Sequence, residues 1–222
     1  AAHQIANFQR CHIVGTVFHP TTHRRLYRQV LHLHLHFTVT GPGLVGLYRE
    51  VIKSKHAAWK PGDLVMADIG WQEYAVIDGG QVTAAPDHKG PISHGLSLLG
   101  VAGLTAYHGL INVAGIHAGE TLLVSAAAGS VGSIVGQIGR IKGARIIGVA
   151  GGEAKCRWVE RELGFDVCIN YKSEDRSLRD QLQAAAPNGV DVYFDNVGGD
   201  ILQTALFAMN LKGRIACCGA VS

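Results

Sequence analysis

Along the second half of the chain the apolar residues come in short bursts separated by longer amphipathic stretches. Leu122-Leu123-Val124 predicts a buried strand, and it runs into Ser125-Ala126-Ala127-Ala128-Gly129, a small-residue turn that opens a helix. Arg145 to Ala150 reads as a second strand. Helical spacing from Glu153 to Leu163 stops at Gly164, a residue suited to ending a helix. Asp166 to Asn170 is a third strand. Ser173 to Ala186 predicts a polar-faced helix with Ser173 as N-cap, broken at Pro187-Asn188-Gly189. Val190 to Phe194 is a fourth strand, followed by a turn at Asn196 to Gly199 and a helix from Asp200 to Asn210. Arg214 to Cys218 is a fifth strand. Strands alternating with helices imply βαβ units, and right-handed crossovers make of them an α/β, doubly wound parallel sheet.

Upstream the pattern changes. Gly41-Pro42-Gly43 marks a turn, Val45 to Ile52 and Leu64 to Ile69 are β-rich runs, and Pro61-Gly62-Asp63 is a tight turn between them. Gln72 to Ile77 is another strand, closed by Asp78-Gly79-Gly80. Several short strands with glycine turns predict a partly open barrel. Trp71 and Tyr74 are assigned to core packing, with a substrate cleft as their alternative. The expected organisation is a divergent segment at 1–40, a partial β-rich domain at 41–97 and a nucleotide-binding domain at 98–222, with the join between Asp87 and Leu98, where Pro86 and Pro91 interrupt the pattern.

The turn after the 122–124 strand carries the chemistry. It reads A-x-G-x-x-G from Ala127 to Gly132, with Ala127 where the first glycine usually stands. Gly129 lets the backbone approach a pyrophosphate, Gly132 lets the helix pack close to its strand, and free N–H groups at the helix start face the anion. A packing turn without a ligand is the alternative for such a motif taken alone. Its place after the first strand of an alternating series, where the strand order reverses, favours the dinucleotide.

The second strand decides which dinucleotide. A free ribose 2′-hydroxyl is usually held by an acid at that strand's end. Here the strand ends Val149-Ala150-Gly151-Gly152 with no acid on it, and Lys155 follows as a point charge for a 2′-phosphate. The reading is NADP(H). Glu153 is the counter-signal, since a turn acid can reach a ribose; its other reading is a first-turn acid complementing the helix dipole.

Composition narrows the partners. The 222 residues contain 47% hydrophobic residues, enough for a real core, and 29 glycines, which suit many strand–helix turns. Net charge +3 does not argue for nucleic acid, and no apolar run reaches transmembrane length. The five cysteines contain no C-x-x-C and no zinc spacing, so no metal site is assigned; reduced thiols and a cytoplasmic address are expected. The first forty residues hold seven of the twelve histidines, four arginines and no acid. Leu31 to His36 would set three histidines on one face of a strand; a metal there is less favoured than a poorly formed strand or sequence not selected for this fold.

Seven stretches carry a family resemblance: Gly103-Leu104-Thr105-Ala106-Tyr107, Ala126 to Gly132, Glu153-Ala154-Lys155-Cys156, Leu163 to Asp166, Asn170-Tyr171-Lys172, Tyr193 to Gly199 and Cys218 to Ser222. In order and spacing the chain resembles the medium-chain dehydrogenase/reductase superfamily, and within it the prostaglandin reductase and curcumin reductase group of NADP-dependent alkenal/one oxidoreductases. Upstream, Ser54-Lys55-His56, Pro61 to Val65 and Gly70 to Val76 resemble that family's small GroES-like catalytic domain. The resemblance implies a Rossmann domain in which Gly129, Ser130, Val131 and Gly132 cradle the pyrophosphate. It implies Lys155 and Tyr171 at the 2′-phosphate, Asn196 beside the fourth strand, and Cys218, Gly219, Ala220, Val221 and Ser222 bordering the nicotinamide. Tyr171 as a plain strand-end aromatic and Asn196 as a turn residue bonding its own backbone are the alternatives.

The implied chemistry is zinc-independent reduction of a carbon–carbon double bond conjugated to a carbonyl, with hydride going to the β-carbon of a small α,β-unsaturated ketone or aldehyde. A quinone reductase of the same superfamily and a non-catalytic nucleotide-binding fragment are the alternatives. No catalytic residue is named. The resemblance implies a domain cut after its fifth strand, with the family's tyrosine, sixth strand and dimer-forming sheet edge lying beyond Ser222, so a homodimer is expected only of the full-length family.

Overall fold

The computed structural model describes residues 30–35, 47–69, 72, 74–87 and 89–219. It divides into two compact units, with the boundary between Gly95 and Leu96.

The first unit is an antiparallel five-stranded sheet of order β4-β1-β2-β3-β5, made of β1 (Val30–Leu35), β2 (Leu47–Ser54), β3 (Leu64–Ala67), β4 (Tyr74–Asp78) and β5 (Thr83–Ala84). The β2–β3 turn is built by its sequence. Gly62 takes φ 92°, a left-handed conformation open to glycine, and the Asp63 carboxylate accepts the Lys60 N–H at 2.8 Å. Val51, Val65, Ala67 and Val82 form its small core, and the Trp59 indole donates to the Gly79 carbonyl at 2.8 Å. Two expectations change here. Tyr74 is 60% exposed on the terminal strand of the sheet, so it does not pack the core; Trp71 lies outside the described residues. β1 falls inside the segment set apart at 1–40, yet it takes a central place, with His32 opposite Lys53 and His34 opposite Glu50. His36 lies outside the described residues, as does Cys11.

The second unit begins with helix α1 (Val101–Tyr107), which continues as a π-helical turn over His108–Val113. Its sheet has the order β10-β9-β6-β7-β8, from β6 (Thr121–Val124), β7 (Arg145–Ala150), β8 (Val167–Asn170), β9 (Val190–Asp195) and β10 (Met209–Cys217). All four neighbouring pairs are parallel. The order runs outward from β6 in both directions, which is the doubly wound arrangement, and its reversal point lies between β6 and β9. Helices α2 (Ser130–Ile141), α3 (Glu153–Leu163), α4 (Leu178–Ala185) and α5 (Gly199–Leu206) connect the strands.

Residue alternation in the strands divides the core. Leu122, Val124, Ile146, Val192 and Phe194 pack into one cluster with Val135, Val159 and Phe165. Leu123, Ile147, Val149, Ile169 and Tyr193 pack into the other with Leu182 and Ala205. Successive strand residues thus serve opposite layers, and each fully buried side chain of this size contributes about 1.5–3 kcal/mol of transfer energy. Gly136 permits the close seat of α2: a Cβ there would stand 2.0 Å from the Phe165 ring.

Glu153–Leu163 is helical as expected and ends at Gly164 with φ 70°. The next helix starts later than its sequence pattern predicts. Ser177, not Ser173, is the N-cap, its hydroxyl accepting the Asp180 N–H at 3.1 Å, and α4 begins at Leu178. α5 ends at Leu206 rather than Asn210. The chain is already strand at Met209, which pairs with Val190, and the Asn210 amide donates to Asp191 at 2.7 Å. Cross-strand partners here override the helical spacing. No helix among the described residues is long and apolar enough to cross a membrane.

Candidate functional site

A cleft of about 550 Å³ opens at the carboxyl ends of β6, β7 and β9. Its walls are small where the chain turns: Ala126, Ala128, Gly129, Gly151 and Gly198 all line it. Lys155, Tyr171 and Asp200 bring its polar side chains.

The β6–α2 turn is tight. Ala126 sits at φ 48°, uncommon for a residue with a Cβ, and its carbonyl accepts the Gly129 N–H at 2.8 Å. A Cβ on Gly132 would stand 2.3 Å from that carbonyl oxygen, so Gly132 is there for close packing. Ala127 takes the place of a first glycine because the room is supplied elsewhere. It is fully buried, and a Cβ on Gly148 of the adjacent strand would meet it at 2.8 Å. Gly129 is the N-cap of α2 and makes no side-chain cap, which leaves the first-turn N–H groups, among them those of Ser130 and Val131, to solvent or an anion.

At the end of β7, Gly152 takes φ 100° and its N–H donates to the Asn170 side-chain oxygen at 2.7 Å. The same oxygen accepts the Lys172 N–H at 3.1 Å, and the Asn170 amide donates to Glu153 at 3.1 Å. Glu153 also stands 4.0 Å from Arg157. The one acid in this corner is therefore engaged with the protein. Tyr171 hangs over Gly151, where a Cβ would stand 3.0 Å from its hydroxyl, and the Lys172 ammonium lies 5.9 Å from the Tyr171 ring centre. Lys155 and Tyr171, sixteen positions apart in the chain, border the same cleft.

Between β6 and β9 the polar groups are buried. Asp195, 2% exposed, accepts from the Tyr193 hydroxyl (2.7 Å), the Ser125 hydroxyl (3.1 Å) and the N–H groups of Val197 (3.0 Å) and Gly198 (2.9 Å). Burial works to raise its pKa, but these donors, led by Gly198, outweigh it and hold the carboxyl below its ordinary value. Burial pushes the Tyr193 phenol up, and its bond to Asp195 adds to the rise. Ser125 also accepts the Asn196 N–H at 2.8 Å, and the Asn196 side-chain amide donates to the Ser125 carbonyl at 2.8 Å.

Of the residues proposed from sequence, Gly129, Lys155 and Tyr171 line the cleft, with Ser130 and Val131 opening the helix that starts at Gly129. Asn196, Cys218 and Gly219 form a second group. The N–H groups of Cys218 and Gly219 reach the Asp195 carbonyl at 2.8 and 3.2 Å, and a Cβ on Gly219 would stand 2.5 Å from the Asn196 oxygen. Ala220, Val221 and Ser222 lie outside the described residues. The buried Ser125–Asp195 pair was missed. Its signal is an acid closing an apolar strand just before a Gly-Gly turn, with a serine closing the neighbouring strand.

A small-residue turn at the reversal point of a doubly wound sheet, with a cleft above it, defines a Rossmann-type nucleotide-binding domain. The comparisons agree. A family profile described as zinc-binding dehydrogenase matches residues 130–222. Mouse prostaglandin reductase 1 is 45% identical over 176 residues, covering 78% of this chain and 53% of that protein. The NADPH-dependent curcumin reductase of Escherichia coli is 43% identical over 177 residues, covering 80% and 51%. The crystal structure of CurA in complex with NADPH from Vibrio vulnificus superposes with a TM-score of 0.72 at 38% identity, covering 86% of this chain and 62% of that one. The chain belongs to the medium-chain dehydrogenase/reductase superfamily and is prostaglandin reductase- and curcumin reductase-like. It spans about half the length of the curated relatives it matches. Among the described residues, no group of three or more His, Cys, Asp or Glu side chains is placed to hold a metal ion.

Proposed function

We propose that this chain carries the NADP(H)-binding part of a reductase acting on the carbon–carbon double bond of α,β-unsaturated ketones and aldehydes. One observation carries the cofactor reading. The end of β7 offers two glycines, a lysine and a tyrosine around open space, while the acid at the start of α3, Glu153, is bonded to Asn170. An ammonium and a phenol suit a 2′-phosphate; an NAD site would present a carboxylate at that strand end.

The residues fit the group. Lys155 and Tyr171 would hold the 2′-phosphate, and the first-turn N–H groups of α2, those of Ser130 and Val131, would hold the pyrophosphate, with Gly129 letting the backbone approach it. Asn196 would fix the wall beside β9, and Cys218 to Ser222 would border the nicotinamide. When bound, NADPH would supply the hydride for the β-carbon of the enone, with a proton then going to the α-carbon. The small side chains at 126–129 would let the dinucleotide come close to the backbone of the turn. The substrate class rests on the names of the relatives, which include prostaglandin reductase 1, curcumin reductase and, in Nicotiana tabacum, 2-alkenal reductase. A small-molecule substrate and a cytoplasmic address with reduced thiols go with this reading; the described cysteines are free.

The test is turnover by the full-length protein with NADPH and a simple enone, with the product identified by mass. Saturation of the double bond with the carbonyl retained supports the reading. Turnover of quinones with the enone untouched would replace it with the quinone reductase alternative. Cofactor binding with neither activity would leave a nucleotide-binding module.

A further inference from the structure

The cofactor residues sit on the cleft's surface, but the two walls that carry them are joined underneath. One wall is the β6–α2 turn, which leaves the sheet at Ser125 and lines the cleft with Ala126 and Gly129. The other is the β9–α5 loop, which leaves it at Asp195 and lines the cleft with Val197 and Gly198. These walls lie seventy positions apart in sequence. Asp195 draws the second wall in through the N–H groups of Val197 and Gly198, while the Ser125 hydroxyl donates to Asp195 and accepts from Asn196. Ser125 is fully buried and Asp195 nearly so, so neither touches a ligand.

We infer that Ser125 and Asp195 are positioning residues: a buried latch that sets the separation of the two cleft walls and thereby the affinity for the dinucleotide as a whole, without taking part in choosing its 2′-phosphate. The inference rests on the cofactor reading above. Charge-assisted hydrogen bonds in a low-dielectric setting are stiff, and a loop held by two of them and by the Asn196 N–H bond to the Ser125 hydroxyl has little freedom to close or open on its own. Ser125 is the part of the latch that reaches both walls. Removing its hydroxyl leaves Asp195 bonded to Val197 and Gly198 and the Asn196 amide bonded to the Ser125 carbonyl, but takes away the two side-chain links by which Ser125 holds Asp195 and the Asn196 N–H.

Ser125→Ala tests this in two independent ways. Titration with NADPH and NADH should show both affinities falling about tenfold, with their ratio and the binding stoichiometry unchanged. Amide hydrogen exchange without cofactor should accelerate at Asn196, Val197 and Gly198. Ile146→Ala, in the opposite core layer, serves as the stability control; it should lower the melting temperature without changing either readout. The inference is overturned if Ser125→Ala lowers the melting temperature yet leaves affinities and loop exchange as in the wild type. It is also overturned if the NADPH/NADH ratio changes while the overall affinity does not. If the wild-type protein binds neither dinucleotide, the cofactor reading fails, and the exchange measurement alone decides the latch: unchanged rates at 196–198 reject it.

Discussion

At the floor of the cleft, Asp195 collects four hydrogen bonds at 2% exposure, and Ser125 is fully buried beside it. At the rim, Tyr171 is 45% exposed and Lys155 stands in solvent, tied to the fold through backbone rather than side chain. The difference is one of labour. Buried, satisfied groups fix where the walls stand, whereas exposed groups on short tethers read what lies between them. Changes at the floor should therefore act on every dinucleotide alike, and changes at the rim only on the phosphorylated one.

The largest effect is expected beneath the turn. Gly132→Val forces a side chain against the Ala126 carbonyl, where even a Cβ would stand at 2.3 Å, and backbone cannot swing aside. Urea unfolding should show a loss of about 3 kcal/mol, and binding of NADPH and NADH should disappear together. At the rim, Lys155→Ala should weaken NADPH about 10- to 100-fold, as befits a lost charged hydrogen bond, and leave NADH within about twofold; calorimetric titration reads both. A loss shared by both cofactors would erase the distinction between rim and floor.

Acid sharpens it further. Asp195 has its folded pKa below the unfolded value, so its contribution is present at neutral pH, above the unfolded pKa of about 3.9, and is lost as pH falls toward the folded one. In urea unfolding at pH 7, 5, 4 and 3, the stability gap between wild type and Asp195→Asn should be widest at pH 7 and 5 and narrow at pH 3. The smallest effect belongs to Glu153→Gln. Its partners are Asn170 and, at 4.0 Å, the exposed Arg157, so stability should move by less than about 0.5 kcal/mol. NADH affinity should stay within about twofold of the wild type. A tenfold weakening of NADH would return Glu153 to the ribose.

Much of the nucleotide-binding unit is legible because each burst of apolar residues has one use. Arg145–Ala150 and Glu153–Leu163 have the same limits in the sequence pattern and in the fold, since a continuous apolar run, a first-turn acid and Gly164 all point the same way. The errors have two sources, a local motif passed over and long-range partners. Ser173 and Ser177 offer the same hydroxyl, but only Ser177 is followed three residues later by an aspartate that completes the capping motif. Residues 207–210 look helical, yet Val190 and Asp191 hold them beside β9. In the first unit, the Leu-His alternation of β1 reads as a strand, but its place between β4 and β2 does not show, because it occurs in a segment whose composition is unlike the rest. For the site, Gly129, Lys155 and Tyr171 were visible through motif and spacing. The Ser125–Asp195 pair was not, because its meaning comes from two strand ends that only the sheet brings together.

The central claim is that the cleft is built for a 2′-phosphorylated dinucleotide. Titrating the chain with NADPH and with NADH, followed by nicotinamide fluorescence, tests it most directly. The account predicts a dissociation constant for NADPH at least tenfold below that for NADH. Equal affinity for the two, or tighter binding of NADH, would contradict it.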